Sequence, residues 1–173
     1  MIEETQKWSP VETGGILAGY CSEDDRHLVI TECTIAGPNA HHGKSRYCPD
    51  YDFDRQAMAA LFDDHDGQLF YLGDWHSHPD REPSLSWLDK HALRNMARFP
   101  DNYMESPVML VLGANESTWR IAGWRVFRRR RGFLFPGWSY RPQAVEHYRT
   151  AEQWQPQPGL ALECEGPAKK CGG

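Results

Sequence analysis

Residues 74–89 read DWHSHPDREPSLSWLD. His76 and His78 stand one residue apart beside a proline, and Ser86 and Asp89 follow at a three-residue spacing after a turn. Alternate residues of a strand point to the same face, about 6.6 Å apart along the backbone. On a strand, both imidazoles can therefore aim at one point and share one ion. Asp89, arriving from the first turn of a following helix, would add a hard oxygen. A His-His-Asp set suits zinc and leaves a fourth position for water, as a catalytic zinc requires. The same residues have a purely structural account. Ser86-x-x-Asp89 is also a helix-capping pattern, and a His-x-His pair is also an ordinary polar strand face. The two accounts are compatible, because an acid held as an anion at a helix N-terminus stays in the form that ligates metal.

These residues need a strand, a loop and a helix to position them, and the flanking sequence supplies such elements. TGGILAGY and HLVITECTIAG read as two short strands separated by the polar turn CSEDDR, most simply a hairpin. PDYDFDRQAMAALFDDHDG predicts an amphipathic helix with Asp50 as N-cap, an inward stripe of Phe53, Ala57 and Leu61, and an end near Gly67. QLFYLGDWHSH returns to strand character, and Pro79 ends it. SWLDKHALRNMARF predicts a second helix with Leu88, Ala92 and Met96 facing inward. PVMLVLGA and TWRIAGWRVFR predict a hairpin around NES, and GFLFPGWSYRP adds an edge strand. The fold class is α+β, or layered α/β, with a mixed sheet and two main helices over residues 1–141. Residues 142–173, polar and rich in Pro, Gly and Gln, read as a weakly ordered tail.

Composition narrows the function classes. The length of 173 residues suits one domain with a real core, and a charged share of 25% is far from that of disordered chains. No apolar run reaches the length of about 18 residues that spans a bilayer, and the N-terminus lacks a basic start and an apolar core, so export and membrane partners are not expected. Cys21, Cys33, Cys48, Cys164 and Cys171 are widely spaced without a C-x-x-C, which speaks for a reducing cytoplasm rather than a disulfide framework. A net charge of -5 disfavours nucleic acid as a partner. Arg128 to Arg131 form a local exception, read as a solvated strand edge that discourages further pairing. His41, His42, Cys33 and Cys48 have no metal-ligand spacing and read as loop residues. Trp75, Trp87, Trp119 and Trp124 read as core or site-wall aromatics.

The full spacing, H-S-H-P, then the six residues DREPSL, then S-W-L-D, resembles the signature of the JAMM (JAB/MPN) metalloproteases. Glu12, opening ETGGILAGY, resembles the glutamate that family carries upstream of a glycine-containing strand. The resemblance covers roughly residues 10 to 127, although only eleven residues precede Glu12 where the family has a helix and a strand. GGILAGY, YLGDWHSHP, PSLSWLD and the Trp-rich hairpin are similar to the small bacterial JAB-domain proteins encoded beside ubiquitin-activating and ubiquitin-conjugating enzyme homologues in antiphage operons. The resemblance implies a single JAB/MPN-like domain holding one zinc ion per chain through His76, His78 and Asp89. It further implies Glu12 as general base, Ser86 as donor to the developing oxyanion, and cleavage after the C-terminal glycine of a ubiquitin-like protein. The partners would be that protein's extended tail and its conjugated target, with the activating and conjugating enzyme homologues nearby. Two other readings stand beside this: a processing protease for a sulfur-carrier protein, and a non-catalytic MPN-type scaffold. The scaffold is disfavoured because such proteins generally lack the metal set that this sequence retains.

Overall fold

The computed structural model describes residues 1–22, 27–99, 104–115, 118–129 and 137–148. Six strands form one sheet in the order β2-β1-β5-β6-β7-β8, comprising β1 (Gly14–Cys21), β2 (Leu28–Cys33), β5 (Phe70–His78), β6 (Val108–Asn115), β7 (Thr118–Arg129) and β8 (Gly137–Gln143). β5 and β6 run parallel and every other neighbouring pair is antiparallel, so the sheet is mixed. The parallel pair needs a crossover, and the chain makes it through α3 (Trp87–Met96). The remaining elements are α1 (Ile2–Trp8), α2 (Tyr51–Asp64) and the two-stranded ladder of β3 (His41–His42) with β4 (Tyr47–Cys48).

The core lies on both faces of the sheet. Alternate residues of β6 go to opposite sides: Val108, Leu110 and Leu112 join Leu17, Leu72 and Trp75, whereas Met109 and Val111 join Leu93 and Val126. The second cluster packs beneath α3. His76 pairs with Val111 and His78 with Gly113, so both histidines lie on the α3 face. Pairing is irregular at Gly73, where the β1–β5 register shifts between Leu17 and Ala18. Gly73 has φ 152°, and a Cβ there would lie 1.8 Å from the Val108 carbonyl oxygen, so only glycine lets β5 bend against β6 at this point.

The mixed α+β architecture is as expected, with four differences in detail. The inward face of α3 is carried by Leu93, with Met96 and Ala97 partly buried, while Leu88 and Ala92 are exposed. Asp89 lies one turn before Leu93 on the same stripe, so a polar residue holds a place that an apolar count assigns elsewhere. The segment around His41 to Cys48 is a small ladder rather than a plain loop. α1 is a helix not foreseen from the sequence. β7 is not an edge, because Arg128 and Arg129, both exposed, pair with Trp138 and Gly137 of β8. Arg130 and Arg131 lie outside the described residues, as does most of the segment read as a tail; β8 itself continues to Gln143.

Candidate metal centre

His76 and His78 end β5, and Asp89 enters from the first turn of α3. Among the described residues, these three form the one group of His, Cys, Asp or Glu side chains placed to hold a metal ion. The Nε2 atoms of His76 and His78 are 3.1 Å apart, His76 Nε2 lies 3.2 Å from Asp89 Oδ1, and His78 Nε2 lies 3.6 Å from Asp89 Oδ2. Ligands about 2.0–2.1 Å from a tetrahedral zinc are about 3.3 Å from one another. The spacing thus fits a small tetrahedral cation, and two nitrogens with one carboxylate fit zinc chemically. Neither Cys33 nor Cys48 joins a second such group. Cys48 pairs with His41 in the β3–β4 ladder, and Cys33 and Cys48 are free thiols.

The cap and the carboxylate use the same atoms in different directions. Asp89 N–H donates to Ser86 Oγ at 3.2 Å, and Ser86 N–H donates to Asp89 Oδ2 at 2.6 Å, a complete capping box. Burial would raise the Asp89 carboxyl, but hydrogen bonding and charge at His76, and then hydrogen bonding with Ser86, hold it well below the usual range. His78 is pushed down to about 4, chiefly by burial and then by the charges of His76 and Arg81, while Asp89 opposes the shift. At neutral pH the carboxylate is therefore ionised and the His78 imidazole neutral, the forms that donate to a metal.

Glu12 reaches this point through strand register. Gly14 pairs with His76 in the antiparallel β1–β5 ladder. Thr13 and Ser77 extend that ladder: Ser77 N–H donates to the Thr13 carbonyl at 2.8 Å, and Thr13 N–H donates to Ser77 Oγ at 3.0 Å. Glu12 then falls opposite His78 and, by the two-residue period, on the same face. Its Oε1 is 3.8 Å from His78 Nε2, and the residue is buried. Burial raises its carboxyl pKa, with His76 and Arg81 pulling it back.

Three residues around Glu12 were not anticipated. Arg81, in the loop between β5 and α3, donates from Nη2 to Glu12 Oε1. His42 Nδ1 lies 3.0 Å from the Glu12 carbonyl oxygen and, as that oxygen can only accept, carries the proton. Trp8 stacks on His42 with ring centroids 3.5 Å apart and 8° between planes, and its Nε1 donates to Glu4 Oε1 at 2.6 Å. Glu12 N–H also donates to the Gly43 carbonyl at 2.8 Å. α1 and the β3–β4 ladder thus form a bracket around the Glu12 main chain. Among the tryptophans, Trp75 is buried, whereas Trp87 is 71% exposed and stacked against His91.

Two imidazoles from a strand, a carboxylate from a helix N-terminus and a buried glutamate within reach are the parts of a hydrolytic metal centre. The sequence pattern described as prokaryotic homologs of the JAB domain matches residues 1–126, and the chain belongs to that family. It is 28% identical over 151 residues to a probable metalloprotease of Sinorhizobium fredii, covering 87% of this chain and 92% of that protein. It is 31% identical over 115 residues to a CD-NTase/cGAS isopeptidase of Enterobacter hormaechei, covering 66% of this chain and 62% of that protein. A CD-NTase/cGAS isopeptidase of Pseudomonas aeruginosa is 34% identical over 84 residues, 47% of this chain and 51% of that protein. The family is one of hydrolases, and these relatives are named as a metalloprotease and as isopeptidases. No helix among the described residues is long and apolar enough to cross a membrane.

Proposed function

We propose that the chain is a zinc-dependent isopeptidase that hydrolyses the bond after the C-terminal glycine of a ubiquitin-like protein joined to a target amine. The observation that carries the reading is the convergence of His76, His78 and Asp89 at tetrahedral spacing with Glu12 Oε1 only 3.8 Å from His78 Nε2. The isopeptidases among its relatives support the bond type. In this reading His76 Nε2, His78 Nε2 and Asp89 hold zinc, which when bound supplies Lewis acidity and makes water a nucleophile near neutral pH.

Glu12 Oε1 takes the proton of the attacking water and delivers it to the departing amine nitrogen, so that amide and water become carboxylate and amine. Ser86 uses its oxygen as an acceptor from Asp89 N–H and donates its hydroxyl hydrogen to the carbonyl oxygen as that oxygen becomes negative. The capping and oxyanion roles are compatible because they use opposite capacities of one hydroxyl.

The test is to purify the protein without chelator, measure zinc, and incubate it with a ubiquitin-like protein joined through its terminal glycine to a lysine side chain. Bound zinc, cleavage at that bond, loss with a chelator and recovery on zinc addition are expected. A protein that binds no zinc, or cleavage indifferent to chelation, contradicts the reading.

A further inference from the structure

Glu12 is fixed at its root by its own N–H, its carbonyl and the Thr13–Ser77 pairing. A glutamate carboxylate lies three rotatable bonds from that root, so fixing the main chain does not fix the reacting oxygen. The side chain is only 4% exposed, and water does little to hold its tip. His78 Nε2, at 3.8 Å, is beyond hydrogen-bond distance. The charged hydrogen bond at Oε1 comes from Arg81, whose side chain is 42% exposed.

The root of Arg81 is also placed by the sheet. Its N–H points to the His78 carbonyl at 3.4 Å. Its own carbonyl oxygen lies against Gly113, where a Cβ would come within 2.6 Å of it and within 2.4 Å of Pro83 N. Gly113 is the register partner of His78 in β6. The loop from Pro79 to Leu85 therefore closes over the end of the β5–β6 pair, and the guanidinium reaches Glu12 from a main chain that the sheet holds in place.

We propose that Arg81 is a positioning residue for Glu12: it holds Oε1 beside His78, so that the oxygen meets the attacking water in one orientation. Its planar, permanently charged fork suits this role. A carboxylate oxygen has two lone-pair sites, so donation from Arg81 occupies one and leaves the other for proton transfer. The inference rests on the assignment of Glu12 as general base.

The test compares wild type, Arg81→Ala and Arg81→Lys on the same lysine-linked substrate, with zinc content and melting temperature measured for each. Misplacing the base lowers kcat for Arg81→Ala by about 10- to 100-fold. KM moves by less than about twofold, because substrate binding is untouched. Arg81→Lys recovers part of kcat, zinc content is unchanged, and the melting temperature stays close to that of the parent. An unchanged or raised kcat in Arg81→Ala, a change confined to KM, loss of zinc, or a lysine variant no better than alanine overturns the proposal. An inert wild type refutes the isopeptidase reading and this inference together. An active wild type with an inert Glu12→Gln and a normal Arg81→Ala overturns only the role of Arg81.

Discussion

Ser86 carries two roles whose costs differ, and Ser86→Ala separates them. The cap is one accepted bond, from Asp89 N–H at 3.2 Å, and losing such a cap costs about 1 kcal/mol. For a protein of this size that is a fall in melting temperature of roughly 2–4 °C. A native state stable by roughly 5–15 kcal/mol stays folded after such a loss, so the cap alone leaves activity nearly intact. The bond from Ser86 N–H to Asp89 Oδ2, at 2.6 Å, belongs to the main chain and survives the substitution, so Asp89 keeps its orientation and zinc is retained. Loss of the hydroxyl donor is a different matter. Removing one oxyanion-hole donor lowers kcat by about 10²–10³-fold, or roughly 2.7–4 kcal/mol of barrier. Ser86→Thr keeps both hydroxyl and cap and should recover most of each. The assay is thermal melting, zinc content and single-turnover cleavage on the three proteins. A kcat loss of only a few-fold in Ser86→Ala, or Thr as slow as Ala, would refute the oxyanion role and leave Ser86 a cap alone.

Two further predictions concern a buried carboxyl of α2 and the loop that carries Arg81. Asp54, buried on α2, is raised to about 7 by burial first and then by the charges of Asp74 and Asp50. A carboxyl whose folded value lies above its unfolded one binds its proton more tightly when folded, so stability is fully present below about pH 4 and is lost as pH rises through about 7. Asp54→Asn should therefore gain melting temperature over the parent progressively between those values and hold a constant advantage above them; a gap that narrows with rising pH would show the sign to be wrong. Gly113→Ala places a Cβ 2.4 Å from Pro83 N, so the loop carrying Arg81 must lift. Cleavage should fall by about 100-fold for a displacement near 1 Å, with zinc retained; full activity would show that the loop does not need its seat on β6.

How much of this was legible from sequence differs from residue to residue. His76 and His78 were readable because strand geometry has a two-residue period, and one-residue spacing converts directly into a shared face. Asp89 was readable because the capping pattern that starts α3 uses the same residue. The inward face of α3 was misread for the same reason: a stripe counted on apolar residues passes over Asp89 and settles on Leu88 and Ala92, which the fold leaves outside. Glu12 was singled out by family resemblance; what brings it to the site is the pairing of Gly14 with His76, a long-range register that no local pattern displays. Arg81 sits in a loop, where periodicity says nothing about where a side chain reaches. His42 belongs to a strand of two residues, too short for alternation to show, and its partner Trp8 lies on a seven-residue helix with few apolar positions.

The central claim is that Glu12 moves the proton while His76, His78 and Asp89 hold the metal, and Glu12→Gln tests it most directly. The substitution keeps the shape of the side chain and an oxygen for Arg81 but removes the basic carboxylate. Zinc content equal to wild type together with a kcat lowered by about 10²–10⁴-fold is the predicted result. Zinc lost from Glu12→Gln, or cleavage continuing at the wild-type rate, would contradict it.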